Sequence, residues 1–485
     1  MKSSSIQVFA LGFLFSWFAG FSAQAAPLTL PLSVAALAPA SNSATSSNTT
    51  AAPSPPPEHT PTFGEILAAP HSPISGNPGA VNFMTGDGLF QSLTPISPNT
   101  GVHFGGVWLA DYNYLIAGGA QPGTSSWNSL LIASVQFDAS KLFHWQGADF
   151  GVQFLQFNGE NTNGEAGAFP GYNSLPGPPP LNRTEFYQAW YRQKLFDNHL
   201  IIRIGKTVPT YDFNNVTRPV TTDLENLEIP AVSGLIYTPI FVNPTMLGAL
   251  PGYYNSAYGV TVTVAPVKHF YFNYGIYDGA LAKGVQTGLV GPQFNTYYFT
   301  IAEVGADWVL ADKYPGQFGA GGWYQSGTLT APNGVTQDGT GGFYLFGGQR
   351  LWGRAATPAV TRAINGQPQV VTPAYGQDAS VSVFYQFGIN DSKTLPVTDY
   401  VGVGLTGFGL IPGRPEDSIG GGLGLSWLNK NVSNRSSQLM VQTYYQAHVY
   451  GGLFLQPTLS YIPTPGASNT DSAAWAFTMR LTCLF

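Results

Sequence analysis

Trp190 and Arg192 stand two residues apart in "RTEFYQAWYRQKL" (183–195), and Arg203 falls in the alternating stretch that follows. Residues two apart in an extended chain share a face. An indole plane and a guanidinium would therefore sit side by side, with a second guanidinium on the neighbouring strand to extend a basic strip. Such a set suits a neutral, hydroxyl-rich solute, because aromatic faces pack on C–H surfaces and guanidinium N–H groups donate to hydroxyls. The same parity argument adds Asp111, Asn113, Gln136, Gln153, Glu303, Asp307, Gln442, Gln446 and Arg480 to one polar face distributed along the chain. Each has a plainer reading too: a wall charge paired across strands, or a ring that fills space.

Other chemistries find less support. The seven histidines are scattered without paired metal-ligand spacing, so neither a metal nor a cofactor is expected. Glu303 and Asp307 share a face, but four residues at ~3.3 Å each separate them by about 13 Å. Glycosidase carboxylate pairs need roughly 5–9.5 Å. The stretch "GVGLTG" (402–407) matches G-x-G-x-x-G, yet it lies within an alternating segment and no βαβ unit surrounds it. No enzyme is expected. A net charge of −6 without any basic block also excludes nucleic acid as a partner.

The elements that must carry this face are strands. Charged residues make up 9% of the 485 residues, whereas aromatics reach 14% and glycines number 58. Mean hydropathy is nevertheless +0.03, so apolar residues are dispersed by alternation instead of gathered in long runs. In "AWAFTMRLTCLF" (474–485), Trp475, Phe477, Met479, Leu481, Cys483 and Phe485 fall on one face. Arg480 falls on the other, with Thr478 and Thr482. Comparable stretches near 102–115, 129–138, 148–157, 184–196, 199–207, 256–265, 268–277, 297–310, 316–326, 341–352, 378–389, 399–408, 418–428, 438–450 and 453–461 bring the number of expected strands to sixteen. Their connections alternate between short, as at 196–199, 266–269 and 311–316, and long, as at 158–183, 208–255, 278–296 and 327–340. The segment 353–377 breaks that rule by being long where a turn is due.

Alternation of this kind, with loops long at one end and short at the other, predicts an all-β, sixteen-stranded antiparallel transmembrane β-barrel, apolar outside and polar inside. Lipid demands closure, because every backbone N–H and C=O must be bonded within the protein. Sixteen strands leave a water-filled lumen, which predicts a channel. Lys2, the apolar run from about residue 6 to 21 and Ala23-Gln24-Ala25 form a signal-peptide pattern (1–25). A Pro/Ser/Ala-rich linker (26–62) and a pre-barrel segment (63–101) are expected before the barrel (102–485). The lone Cys483 can form no internal disulfide and is read as a packing residue. Loop 208–255, with Asp212, Arg218, Asp223, Glu225 and Glu228, has three readings: folded into the lumen, capping the mouth, or contacting a neighbouring subunit.

Several segments resemble the carbohydrate-selective, OprB-like porins of Gram-negative outer membranes. They are "RTEFYQAWYRQKLFDNHLIIRIGKTVPTYDF" (183–213), "GLIPGRPEDSIGGGLGLSW" (409–427) and "LFLQPTLSYIPTPG" (453–466), together with the terminal strand. The resemblance covers roughly 100–485 and departs in the Pro-rich leader and at 353–377. It implies a sixteen-stranded barrel in outer-membrane lipid, often a homotrimer, that passes glucose and related sugars. Phe485 resembles the terminal aromatic by which the barrel-assembly machinery recognises outer-membrane proteins. A general diffusion porin without a sugar site is the alternative, and a barrel enzyme such as a lipase a remoter one.

Overall fold

The computed structural model describes residues 100–484 except 177–180, 215, 217–233, 252–254, 268, 280–288, 295–296, 312–313, 354–359, 365–366, 372–378, 415–416 and 451–452. The signal peptide, the linker, all but the last two residues of the pre-barrel segment, Arg218, Asp223, Glu225, Glu228 and Phe485 lie outside the described residues.

Alternating sequence becomes strand wherever it was expected. The strands are β1 (Val102–Gly119), β2 (Ser125–Asp138), β3 (Ala148–Gly159), β4 (Arg183–Leu195), β5 (Leu200–Thr207), β6 (Ala257–Val267), β7 (Phe270–Asp278), β8 (Tyr298–Leu310) and β9 (Tyr314–Thr330). They continue as β10 (Thr336–Gly353), β11 (Val360–Ile364), β12 (Gln367–Val371), β13 (Ser380–Asn390), β14 (Val397–Phe408) and β15 (Ser418–Leu428). The last three are β16 (Ser437–Tyr450), β17 (Leu453–Ile462) and β18 (Ser472–Leu484). All but β11 and β12 form one closed barrel of chain-order neighbours, β13 following β10 and β18 returning to β1. At the closure Asp111 faces Arg480 and Asn113 faces Thr478. Two short helices, α1 (Ala139–Phe143) and α2 (Thr162–Glu165), lie in connections; the Asp138 carboxylate accepts from the first N–H groups of α1.

Parity sorts the side chains as the alternation requires. On β18, Trp475 is exposed on the outer surface, while Ala474, Ala476, Thr478, Arg480 and Thr482 are buried inside. On β14 and β15, Val403 stands opposite Leu423, and both point outward.

Three features differ from the simple strand-and-loop reading. The expected long connection at 327–340 shrinks to 331–335, because β9 and β10 pair beyond the alternating core of each. The anomalous segment at 353–377 carries a two-stranded hairpin, β11 paired with β12, between two barrel strands. In β4 a register shift opposite Gln153 and Phe154 turns Arg183, Glu185 and Tyr187 inward ahead of Gln188, Trp190 and Arg192.

The interior is packed as well as polar. Sixteen strands enclose more width than wall side chains can fill, and here the described residues of two long connections, 160–182 and 208–256, pack inside it. Tyr172, Leu235, Tyr237, Ile240, Val242 and Met246 of those loops share one apolar cluster with wall residues such as Tyr277, Phe299, Tyr344 and Phe384. Leu175, Val208 and Tyr211 join a second cluster on β1–β4 with Leu109, Ile132 and Leu155. Wall glycines make room for the rings. A Cβ at Gly305 would sit 2.2 Å from the Tyr271 ring, and one at Gly321 would sit 2.4 Å from the Tyr344 hydroxyl.

Candidate functional site

β4 and β5 place Arg192 directly opposite Arg203, and β3 places Asp149 opposite Arg192. Arg192 donates to Asp149 Oδ2 through Nε (3.1 Å) and Nη2 (2.8 Å). Lys194 Nζ approaches the same oxygen at 3.7 Å. The guanidinium carbon of Arg192 lies 5.5 Å from the Trp190 ring centroid, a cation–π contact. Gly151 lies beneath that indole, where a Cβ would meet the ring at 2.2 Å. Asp212, on the first turn of the in-folded loop, accepts from Arg203 Nη2 and from Thr261 Oγ1 (3.0 Å). Trp190, Arg192, Ile201, Arg203, Asp212, Thr261 and Thr263 line one recess in the barrel interior. Within it, the buried Nε of Arg203 has no hydrogen-bond partner among the described residues.

The remaining candidates grip the loops. Arg480 donates to Asp111 through Nε and Nη2 (2.8 Å each). Asn173 of the 160–182 loop closes that pair from above, donating to Asp111 Oδ2 (2.7 Å) and Asn113 Oδ1 (2.8 Å). Gln442 holds both loops at once: its Nε2 donates to Tyr172 O (2.9 Å) and its Oε1 accepts from the Ile236 N–H (2.7 Å). Four residues earlier on the same face, Gln438 donates to Pro170 O and accepts from the Phe169 N–H, 2.7 Å each. Glu303 accepts from the Asn214 N–H (2.7 Å), the Tyr344 hydroxyl (2.7 Å) and the Tyr271 hydroxyl (2.8 Å). Gln446 donates to Gln456 Oε1 (2.7 Å), and Gln456 donates to Gly234 O (2.8 Å). Burial, with the Glu165 and Asp111 carboxylates nearby, pushes the Tyr172 phenol up, so it stays neutral. Asp307 sits apart, its Oδ2 2.9 Å from His269 Nδ1 at a short turn. Gln153 accepts from Gln188 Nε2, and Gln136 is half-buried on the inward face of β2.

A sequence model described as carbohydrate-selective porin, OprB family, matches residues 130–485. The chain belongs to that family. It is 23% identical over 402 residues to Porin B of Pseudomonas aeruginosa, an alignment covering 75% of this chain and 82% of that protein. Its fold is similar to the high-pH structure of Pseudomonas putida OprB, with a TM-score of 0.66 at 17% identity, covering 85% of this chain and 99% of that one. The low-pH structure of the same protein gives 0.50 at 16% identity over the same shares. The porin is thus a passive channel of the bacterial outer membrane; barrels of this kind turn short connections to the periplasm and long loops outward, the β11–β12 segment being the exception here.

Some interior residues of the porin escape the parity argument. Arg183 and Glu185 precede the β4 bulge, so counting back by twos from Trp190 puts them outside. Two charges on a supposed lipid face were the available signal. Lys206 turns inward three residues after Arg203, because Gly205 adopts φ +142° where a Cβ would meet Ala189 O at 2.2 Å. Asn173 and Asn214 act from loops, for which strand parity has no rule. Among the described residues, no cluster of three His, Cys, Asp or Glu side chains could hold a metal.

Proposed function

We propose that the porin passes neutral, glucose-type sugars by passive diffusion and that Trp190, Arg192 and Arg203 form the face a passing sugar touches. The observation that carries this reading is their shared recess, in which the two arginines are paired with Asp149 and Asp212. Paired charges present directed donors and acceptors with little net field, which favours hydroxyls over ions. The indole supplies a stacking plane, and the Arg192 and Arg203 guanidiniums that line the recess supply donors. Contacts of this kind are individually weak, as conduction requires.

Asp111, Asn113, Glu303, Gln442 and Arg480 belong to the same proposal as positioning residues. Their polar groups hold loops 160–182 and 208–256 against the wall, which sets the width of the passage. Asp307 lies at the periplasmic end, where it would meet a solute on exit.

Planar-bilayer conductance tests the proposal. Millimolar glucose or maltodextrin should lower the ionic current through the wild-type channel, and Trp190→Ala should weaken the block by about tenfold, the equivalent of one lost stacking contact. A current indifferent to sugar would make this a general diffusion porin instead.

A further inference from the structure

The outer wall carries a second, unrelated feature. One hydrogen-bonded row runs Leu481–Ala110–Ser129–Asn158 across β18, β1, β2 and β3, and it changes from apolar to polar along its length. Trp108 flanks the row on one side, and Tyr112 and Trp127 flank it on the other, their rings 4.9 Å apart. The small Ala110 and Ser129 between these rings leave a groove of about 750 Å³ that ends at Glu160 and Asn182, at the base of an extracellular loop. On β14 and β15, by comparison, the outer wall is apolar where Val403 faces Leu423.

We propose that this groove binds a membrane lipid with a neutral, hydroxyl-rich, glycoside-like headgroup. The polar end of the row, Ser129 and Asn158, lies on the lipid-facing side of the wall, where a polar group is costly unless something satisfies it. The groove has a polar end at the loop rim and an apolar end deeper in the wall, the layout of an amphiphile lying along the barrel. Its walls are aromatic, suited to a sugar face. Its polar end is amide and carboxylate, with no lysine or arginine in the lining to attract a phosphate. Some of these groups are already positioned: Trp108 Nε1 donates to Ser129 Oγ (3.0 Å), and the Trp127 N–H donates to Glu160 Oε2 (2.9 Å). The Asn158 amide has no partner among the described residues and is exposed. A second copy of the barrel would present a convex wall, which leaves such a recess unfilled.

Native mass spectrometry of the full porin, purified in dodecyldimethylamine oxide, provides the test. Dodecyl maltoside should be retained, and dodecylphosphocholine should bind about tenfold more weakly or not at all. Trp127→Ala and Asn158→Leu should each weaken maltoside retention by about tenfold while leaving conductance unchanged, because both side chains face outward. If Trp127→Ala fails to assemble, Asn158→Leu alone decides. Equal retention of the two amphiphiles would overturn the proposal, as would variants that retain maltoside like the wild type. Variants that change the oligomeric state with retention intact would overturn it in favour of a contact between copies.

Discussion

Arg480 and Asp111 show what a charge inside this barrel does. Both are buried, the pair is bidentate, and Asn173 completes it from the loop. Removing one partner of a buried pair strands the other charge, which costs about 3–5 kcal/mol. Arg480→Met should therefore destabilise the barrel by that amount in urea unfolding, and pairing it with Asp111→Leu should recover much of the loss. Sequence parity found both residues and put both on the inner face. It could not find Asn173, because a loop residue separated from its partners by sixty positions or more leaves no periodic trace. Nor could parity tell a solute contact from a loop anchor, since Gln442 and Trp190 carry the same alternation signal.

At the scale of elements, the glycines of β8 and β9 matter through the rings they admit. Gly305 and Gly321 let Tyr271 and Tyr344 lie along the wall, where their hydroxyls reach Glu303, and Glu303 in turn holds the Asn214 N–H. Gly321→Val should displace Tyr344 and loosen the descending loop. The expected outcome is a loss of about 1–3 kcal/mol of stability, with larger and noisier single-channel currents in bilayers. Unchanged currents in a destabilised barrel would mean that the loop is held without this strut. The strands themselves were legible because a two-residue period survives in each. Their ends were not, since β9 and β10 continue through Gly- and Thr-rich sequence that alternates poorly. The bulge in β4 leaves one trace only, the charges of Arg183 and Glu185 at a nominally lipid-facing parity, because a single inserted residue reverses the faces without changing the composition.

For the whole molecule, a wide barrel is narrowed by its own loops, and its interior sets amides, hydroxyls and paired charges beside apolar clusters. Closure of the sheet and the alternating loop lengths follow from the sequence. The inward placement of Asn214, Gly234 and Ile236 in the long 208–256 loop does not, because the sequence fits three placements equally and only contacts with Glu303, Gln456 and Gln442 distinguish them. The proposed function requires selectivity for neutral hydroxylated solutes. Liposome swelling with the purified porin tests it most directly, by comparing glucose with charged solutes of similar size such as gluconate and glucosamine. Glucose should enter fastest, and Trp190→Ala should narrow its lead. Equal entry of all three, ordered by size alone, would contradict it.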